Sequence, residues 1–267
     1  MTNQIWVPRK VAGEEFYADR LDEALRTCQT PTKEAPKGYE AQFMPEIIDT
    51  RIASPGGSRI WQTWFTAPSI RATGKSRQGK PFVVYAHIPN YFSKHKNITK
   101  AIEQGLVNGA GRMPQDEFQR LLDLKDDERV FVVNYEVLRS AESGVIPVSK
   151  ALAHPQTIPF LGGRERAEAY LPQHEKNYGS KIGNWHLNDF IEDSPLARAL
   201  FVGVDCYYGG FYGGYDLGND ARFLGVRAEG AAQKFSPSAE QLTNLINEYV
   251  APINQPEVHN RISAVFR

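Results

Sequence analysis

The sequence predicts an α+β fold, a mixed or mainly antiparallel sheet with four to six helices packed on it. Three observations lead there. Strand-like and helix-like segments follow in the order helix, strands, two helices, strand, helix, strands, helix, which is neither all-β nor the regular alternation of a doubly wound sheet. Two runs, PFVVYAHI at 81–88 and RVFVVNYEVL at 129–138, carry the β-branched and aromatic residues that suit a pleated surface. A second pair of such runs, 199–205 and 221–227, encloses the tract YYGGFYGGYDLGND, whose Gly, Asn and Asp supply turn chemistry.

Taken in order, 4–7 reads as a short edge strand ended by Pro8. Residues 14–28 place Phe16, Tyr17, Leu21, Ala24, Leu25 and Cys28 on one helical stripe, with Glu14 and Glu15 at the positive end of the helix dipole. The stretch 29–46 holds three prolines and little periodicity. It reads as a connector, so the 267 residues form one domain, with 1–45 as a candidate N-terminal appendage. Strands are expected at 47–53, 59–67 and 81–88. Between the last two lies a basic loop carrying Arg71, Lys75, Arg77 and Lys80.

Asn97 is placed to cap a helix over 98–107 that Asn108-Gly109 ends, and Pro114 opens another with Asp116 and Glu117 in its first turn. The run at 129–138 is nearly continuous in apolar character and reads as a central strand. Within it Glu136 is the carboxylate to watch, because a strand interior is a costly place for an unpaired charge. A looser segment follows, then a helix over 164–171 stopped by Pro172. Near the end, Leu242, Leu245, Ile246, Tyr249 and Val250 fall at helical spacing behind a serine cap, predicting a helix over 238–250.

Composition bounds the function. Lys+Arg and Asp+Glu number 31 each, so the chain carries no net charge and lacks the electrostatic footprint of a protein that holds extended nucleic acid. The first ten residues contain no apolar leader core, and no run approaches the ~18 apolar residues of a membrane span. Two cysteines, Cys28 and Cys206, match no metal or redox spacing. The expectation is a soluble, cytoplasmic, reduced protein that needs no cofactor.

Several motifs carry candidate chemistry. The Gly-Lys-Ser at 74–76 evokes a phosphate loop, but that motif needs a glycine where Ser69 stands and a helix where a strand follows, so a basic hairpin loop able to hold an anion is the simpler reading. Cys206 follows an apolar strand, a position from which a nucleophile can project. His186 upstream is placed to act as base, with Asp205, Asp189 or Asp193 to orient it. The same cysteine serves equally as a small hydrophobe. The six histidines are scattered, and Asp216, Asn219 and Asp220 lack the spacing of a calcium loop, so no metal is expected.

The tyrosine–glycine tract is the other candidate. Tyr207, Tyr208, Phe211, Tyr212 and Tyr215 stand among glycines, a composition suited to a contact surface. Tyrosine offers broad amphipathic area, and glycine lets a partner approach. With Trp185 and the basic residues Arg71, Lys75 and Arg77, it defines a recognition or structural module for a polar small molecule, a glycan or a protein. A hydrolase or transferase built on Cys206 and His186 is the alternative, and a self-assembling, homo-oligomeric shell subunit is a third.

The run GNWH at 183–186, then ARALFVG at 197–203, the glycine–aromatic stretch and a closing FLGVR at 223–227 together resemble the end of C-type-lectin-like domains of the sulfatase-modifying and phage-receptor kind. Those domains pass from a GN-W element through a glycine-rich turn to a closing G-[FAV]-R strand. The resemblance covers residues 183–227, with a shorter middle than in that family, and no residue role is taken from it.

Overall fold

The computed structural model describes residues 8–125, 127–187, 194–205 and 208–227, and of 204, 205 and 208 the backbone alone. The segments expected at 4–7 and 238–250 lie outside these residues. In chain order the elements are β1 (Glu14–Ala18), α1 (Leu21–Gln29), β2 (Tyr39–Ala41), α2 (Met44–Ile52), α3 (Arg59–Gln62), β3 (Phe65–Lys75) and β4 (Pro81–Ala86). Then come α4 (His95–Glu103), β5 (Gly111–Arg112), α5 (Gln115–Asp123), β6 (Val130–Asn134), α6 (Tyr135–Arg139), β7 (Gly144–Pro147), α7 (Val148–Ala151), α8 (Thr157–Leu161) and α9 (Arg164–Tyr178). The described chain closes with β8 (Lys181–Trp185), β9 (Leu196–Asp205), β10 (Tyr208–Tyr215) and β11 (Ala221–Arg227).

The fold is α+β, as the segment order implies. One sheet of eight strands runs β6-β4-β3-β9-β10-β8-β7, with β5 added on β9. Its pairings are antiparallel except β10 with β8. A second sheet, β1-β11-β2, is antiparallel throughout. Alternation along each strand sends side chains to two cores. Val83, Tyr85, Leu200, Val202 and Phe211 pack with α2, α8 and α9 residues, while Val84, Ala86, Ala197 and Ala199 pack with α1, α4 and α5 residues and with Phe223 of β11. Among the described residues, no helix is long and apolar enough to cross a membrane.

Several elements differ from expectation, each for a local reason. The stripe at 14–28 divides: Glu14–Ala18 pairs with β11, and the helix starts at Leu21. Residues 47–53, expected as a strand, belong to α2, where Met44, Ile47, Ile48 and Arg51 are buried at helical spacing and Pro45 sits in the first turn. Residues 59–62 are a helical turn, and the strand expected there begins at Phe65. The run at 129–138 is not central: β6 pairs only with β4 and ends where the Asn134 side chain accepts the N–H groups of Glu136 and Val137, turning the chain into α6. It is apolar because Phe131 and Val133 face one core and Val132 the other. Glu136 is therefore an exposed helical residue, paired with Arg139 at 3.4 Å. Nor does Pro172 stop α9, which runs on to Tyr178 because Ala167, Tyr170, Leu171 and His174 are buried on both sides of it.

Candidate functional site

The site forms where the large sheet opens. β8 runs parallel to β10 and ends at Trp185, directly across from Tyr212. One step on, β10 bulges between Tyr212 and Tyr215, so its register with β9 shifts. Leaving the ladder at this point creates a pocket of about 490 Å³.

Aromatic rings make one wall. Trp185 and Tyr212 stack with centroids 6.4 Å apart and planes 19° apart. Tyr212 meets Phe201 edge-on at 5.0 Å, and Phe201 stacks on Tyr215 at 4.7 Å. Trp185, Tyr212 and Tyr215 line the pocket, and Leu187 stands exposed beside them. Tyr215 also donates its hydroxyl to Asp220, and burial followed by that carboxylate holds the phenol protonated, its pKa raised.

Polar groups make the floor and rim. Arg198 is 2% exposed; its Nη1 donates to the Gly214 carbonyl at 3.0 Å, and its Nη2 donates to the carbonyl of Asn108. Asn108 adopts φ 48°, in the left-handed region that Asn tolerates better than most residues. Ser143 accepts the His186 N–H at 3.0 Å and donates its hydroxyl to the His186 carbonyl at 2.8 Å. Asp216 and Asn219 complete the rim.

His186 is 3% exposed, and neither ring nitrogen completes a hydrogen bond. Burial, and then the charge of Arg71 and the neighbouring His154, push its pKa down to about 4, against a weak pull from the Leu138 carbonyl. At neutral pH the ring is uncharged, offering one donor and one acceptor. Behind it runs a buried polar seam. Tyr85 donates to Gln156 Oε1 at 2.9 Å, Gln156 donates to Asn184 Oδ1 at 2.6 Å and to the Trp185 carbonyl at 3.1 Å, and Asn184 donates to Thr157.

The structure brings together Trp185, His186, Tyr212 and Tyr215 of the residues singled out by sequence. Phe211 does not join them. It alternates to the other side of β10, is fully buried, and packs on Phe160 at 5.0 Å and on Tyr170 at 5.7 Å. The stretch between the flanking strands is thus a strand, not a loop. Arg71 lies within β3, 1% exposed, because the basic loop expected at 67–80 is mostly strand, with a tight turn after Lys75. Lys75 ends β3, and Arg77 is exposed, its Nη2 3.8 Å from Asp123. Neither reaches the pocket, and β4 rather than a helix follows the Gly-Lys-Ser. Cys206 and Tyr207 lie outside the described residues, as do the side chains of Asp205 and Tyr208. Sequence reasoning missed Ser143, Asn108 and Arg198, whose roles depend on loops meeting across the fold. The one available signal was Arg198 itself, a charge inside an apolar strand.

An α+β domain with an aromatic-walled pocket is the class this geometry defines. The chain is similar to a solved structure from work on how the C-type lectin fold accommodates massive sequence variation in Nanoarchaeota, with 51% identity, a TM-score of 0.74, and coverage of 83% of this chain and 100% of that one. The chain belongs to this family of C-type lectin fold proteins. No family model matches the sequence, and no curated protein does.

Proposed function

We propose that the protein is a recognition module that takes a polar ligand, a glycan or a protein segment, in the pocket between β8 and the bulge of β10. The observation that carries this reading is the stacked Trp185–Tyr212 pair standing half-open over a floor of buried hydrogen-bonding groups. Aromatic faces bind the apolar side of an amphipathic ligand, and a few fixed polar groups set its orientation. The relative's fold, which accommodates massive sequence variation, supports the same reading. A scaffold with its cores on both sides of the sheet can carry different side chains around one pocket without losing its packing.

Glycan and peptide arrays probed with the full chain test it. Trp185→Ala and Tyr212→Ser are expected to abolish binding to whatever the parent retains, while the melting transition stays cooperative. Retention of binding by both variants would remove the pocket from the function.

A further inference from the structure

The rings of the pocket belong to a longer row. Phe201 on β9, Tyr212 on β10 and Trp185 on β8 stand directly opposite one another across the ladder. The next row on the same face is all glycine: Gly203 pairs with Gly210, and Gly210 with Gly183. A Cβ at Gly183 would stand 2.7 Å from Trp185 Nε1, one at Gly210 3.0 Å from Tyr212 Cε2, and one at Gly203 2.5 Å from Phe201 Cζ. Each ring therefore lies along its strand over a glycine two residues away, and a larger residue there would force it upright.

The row continues beyond the pocket. Trp64 packs against Phe201 at 5.4 Å, and Tyr17 against Trp64 at 6.0 Å. The Arg222 guanidinium lies 5.2 Å from the centroids of both outer rings and fixes them, its own charge met by Glu15 at 2.9 Å. None of Tyr17, Trp64, Phe201, Tyr212 and Trp185 belongs to either core. Tyr17 is 49% and Trp185 36% exposed, and the three rings between them are half-buried, so each keeps surface in solvent.

The polar groups open to solvent beside the rings decide what can lie on them. Arg198, the cation of the pocket lining, is buried, whereas the Asp216 carboxylate is partly exposed and accepts the Gly218 N–H at 2.7 Å. Asn108 and Asn219 add exposed amides to the rim. Such a rim repels an anionic chain and accepts hydroxyl protons. Aromatic faces take up the C–H faces of sugar rings, whose hydroxyls lie at the perimeter. An extended peptide, by contrast, seeks a strand edge for its backbone, and this row lies on the face of the sheet.

Building on the recognition reading, we propose that the site extends from the pocket over Phe201 to Trp64 and Tyr17, and that it takes an uncharged, extended oligosaccharide laid across the strands. One sugar ring rests on Trp185 and Tyr212, whose planes differ by 19°, and later rings on Trp64 and Tyr17.

Calorimetric titration of the full chain with cellohexaose, xylohexaose and mannohexaose, each beside its disaccharide, tests the proposal. At least one hexasaccharide is expected to bind about tenfold or more tightly than its disaccharide, because the second contact is made at high effective concentration. Trp64→Ala and Tyr17→Ala are expected to bring the hexasaccharide down to the disaccharide's affinity and to leave the disaccharide unchanged; a merely structural effect would weaken both lengths alike. Should Trp64→Ala fail to fold, Tyr17→Ala and the comparison of lengths on the parent still decide. Equal affinity for the two lengths, or no binding of any of the three hexasaccharides, would overturn the assignment. So would equal or tighter binding of hexagalacturonate, oligothymidylate or a proline-rich peptide, or self-association of the chain that Trp64→Ala abolishes. The recognition reading survives each of these if an array ligand responds to Trp185→Ala, and an absence of any such ligand would overturn both.

Discussion

At the scale of single residues, buried histidines set the acid response. His87 is fully buried; its Nε2–H donates to the Pro159 carbonyl at 2.8 Å, so Nδ1 accepts from Ser69 at 3.0 Å, while Ser69 accepts the Met44 N–H. Burial holds His87 at about 3, and His174 and His186 at about 4. The unfolded chain binds these protons near pH 6.5, so between there and about pH 4 it carries more of them than the folded one. The stability is fully present above pH 6.5 and lost as pH falls. Melting temperature is expected to drop steadily from pH 7 to pH 4, and a flat profile would contradict the burial of these rings. The tyrosine–glycine tract divides at the same scale: Phe211→Ala is expected to cost about 3–5 kcal/mol in denaturant unfolding. Tyr212→Ser costs roughly 1 kcal/mol, the worth of an aromatic pair. Sequence supplied the ring types but not which ring faces inward, because alternation fixes that only once the strand's register is known.

Elements show where local chemistry overrides pattern. β6 was legible as a strand from its apolar run, but its end was written in one residue, Asn134, whose side chain caps α6 at 2.8 Å from the Glu136 N–H. Asn134→Ala is expected to lower stability by about 1 kcal/mol, read from the shift in urea midpoint. β10 depends on an absent side chain at Gly209, where a Cβ would stand 2.6 Å from the Tyr178 ring and 2.8 Å from that of His174. Both rings are fixed, His174 by the Lys181 carbonyl at 3.1 Å and Tyr178 by its hydroxyl's bond to the Trp61 carbonyl. Gly209→Ala should therefore destabilise by about 1–3 kcal/mol, and a neutral result would mean that α9 yields. The helix α2 was misread as a strand because Ile47, Ile48 and Ile52 are β-branched; the buried spacing through Arg51 outweighed that propensity.

For the whole molecule, the α+β class followed from segment order, whereas the pocket did not. It gathers Asn108, Ser143, Trp185, Arg198 and Asn219, brought together only by the crossing of β9, β10 and β8. Long-range pairing also defines the smaller sheet. Glu15 on β1 accepts from Arg222 on β11 at 2.9 Å and from Arg59 at 2.6 Å, residues far apart in sequence. Removing residues 8–18 is expected to lower Tm and strip hydrogen-exchange protection from 221–227 while β9 keeps its own; protection unchanged at 221–227 would show that β1 contributes little. The same ladder has a consequence during synthesis. Glu15 and Arg222 are 207 positions apart, so at ribosomal speeds β1 waits roughly 10–40 s for its partner strand to be made. Through that interval it is an unpaired edge beside nascent chain, and its two leading glutamates supply the charge that discourages pairing with a stranger.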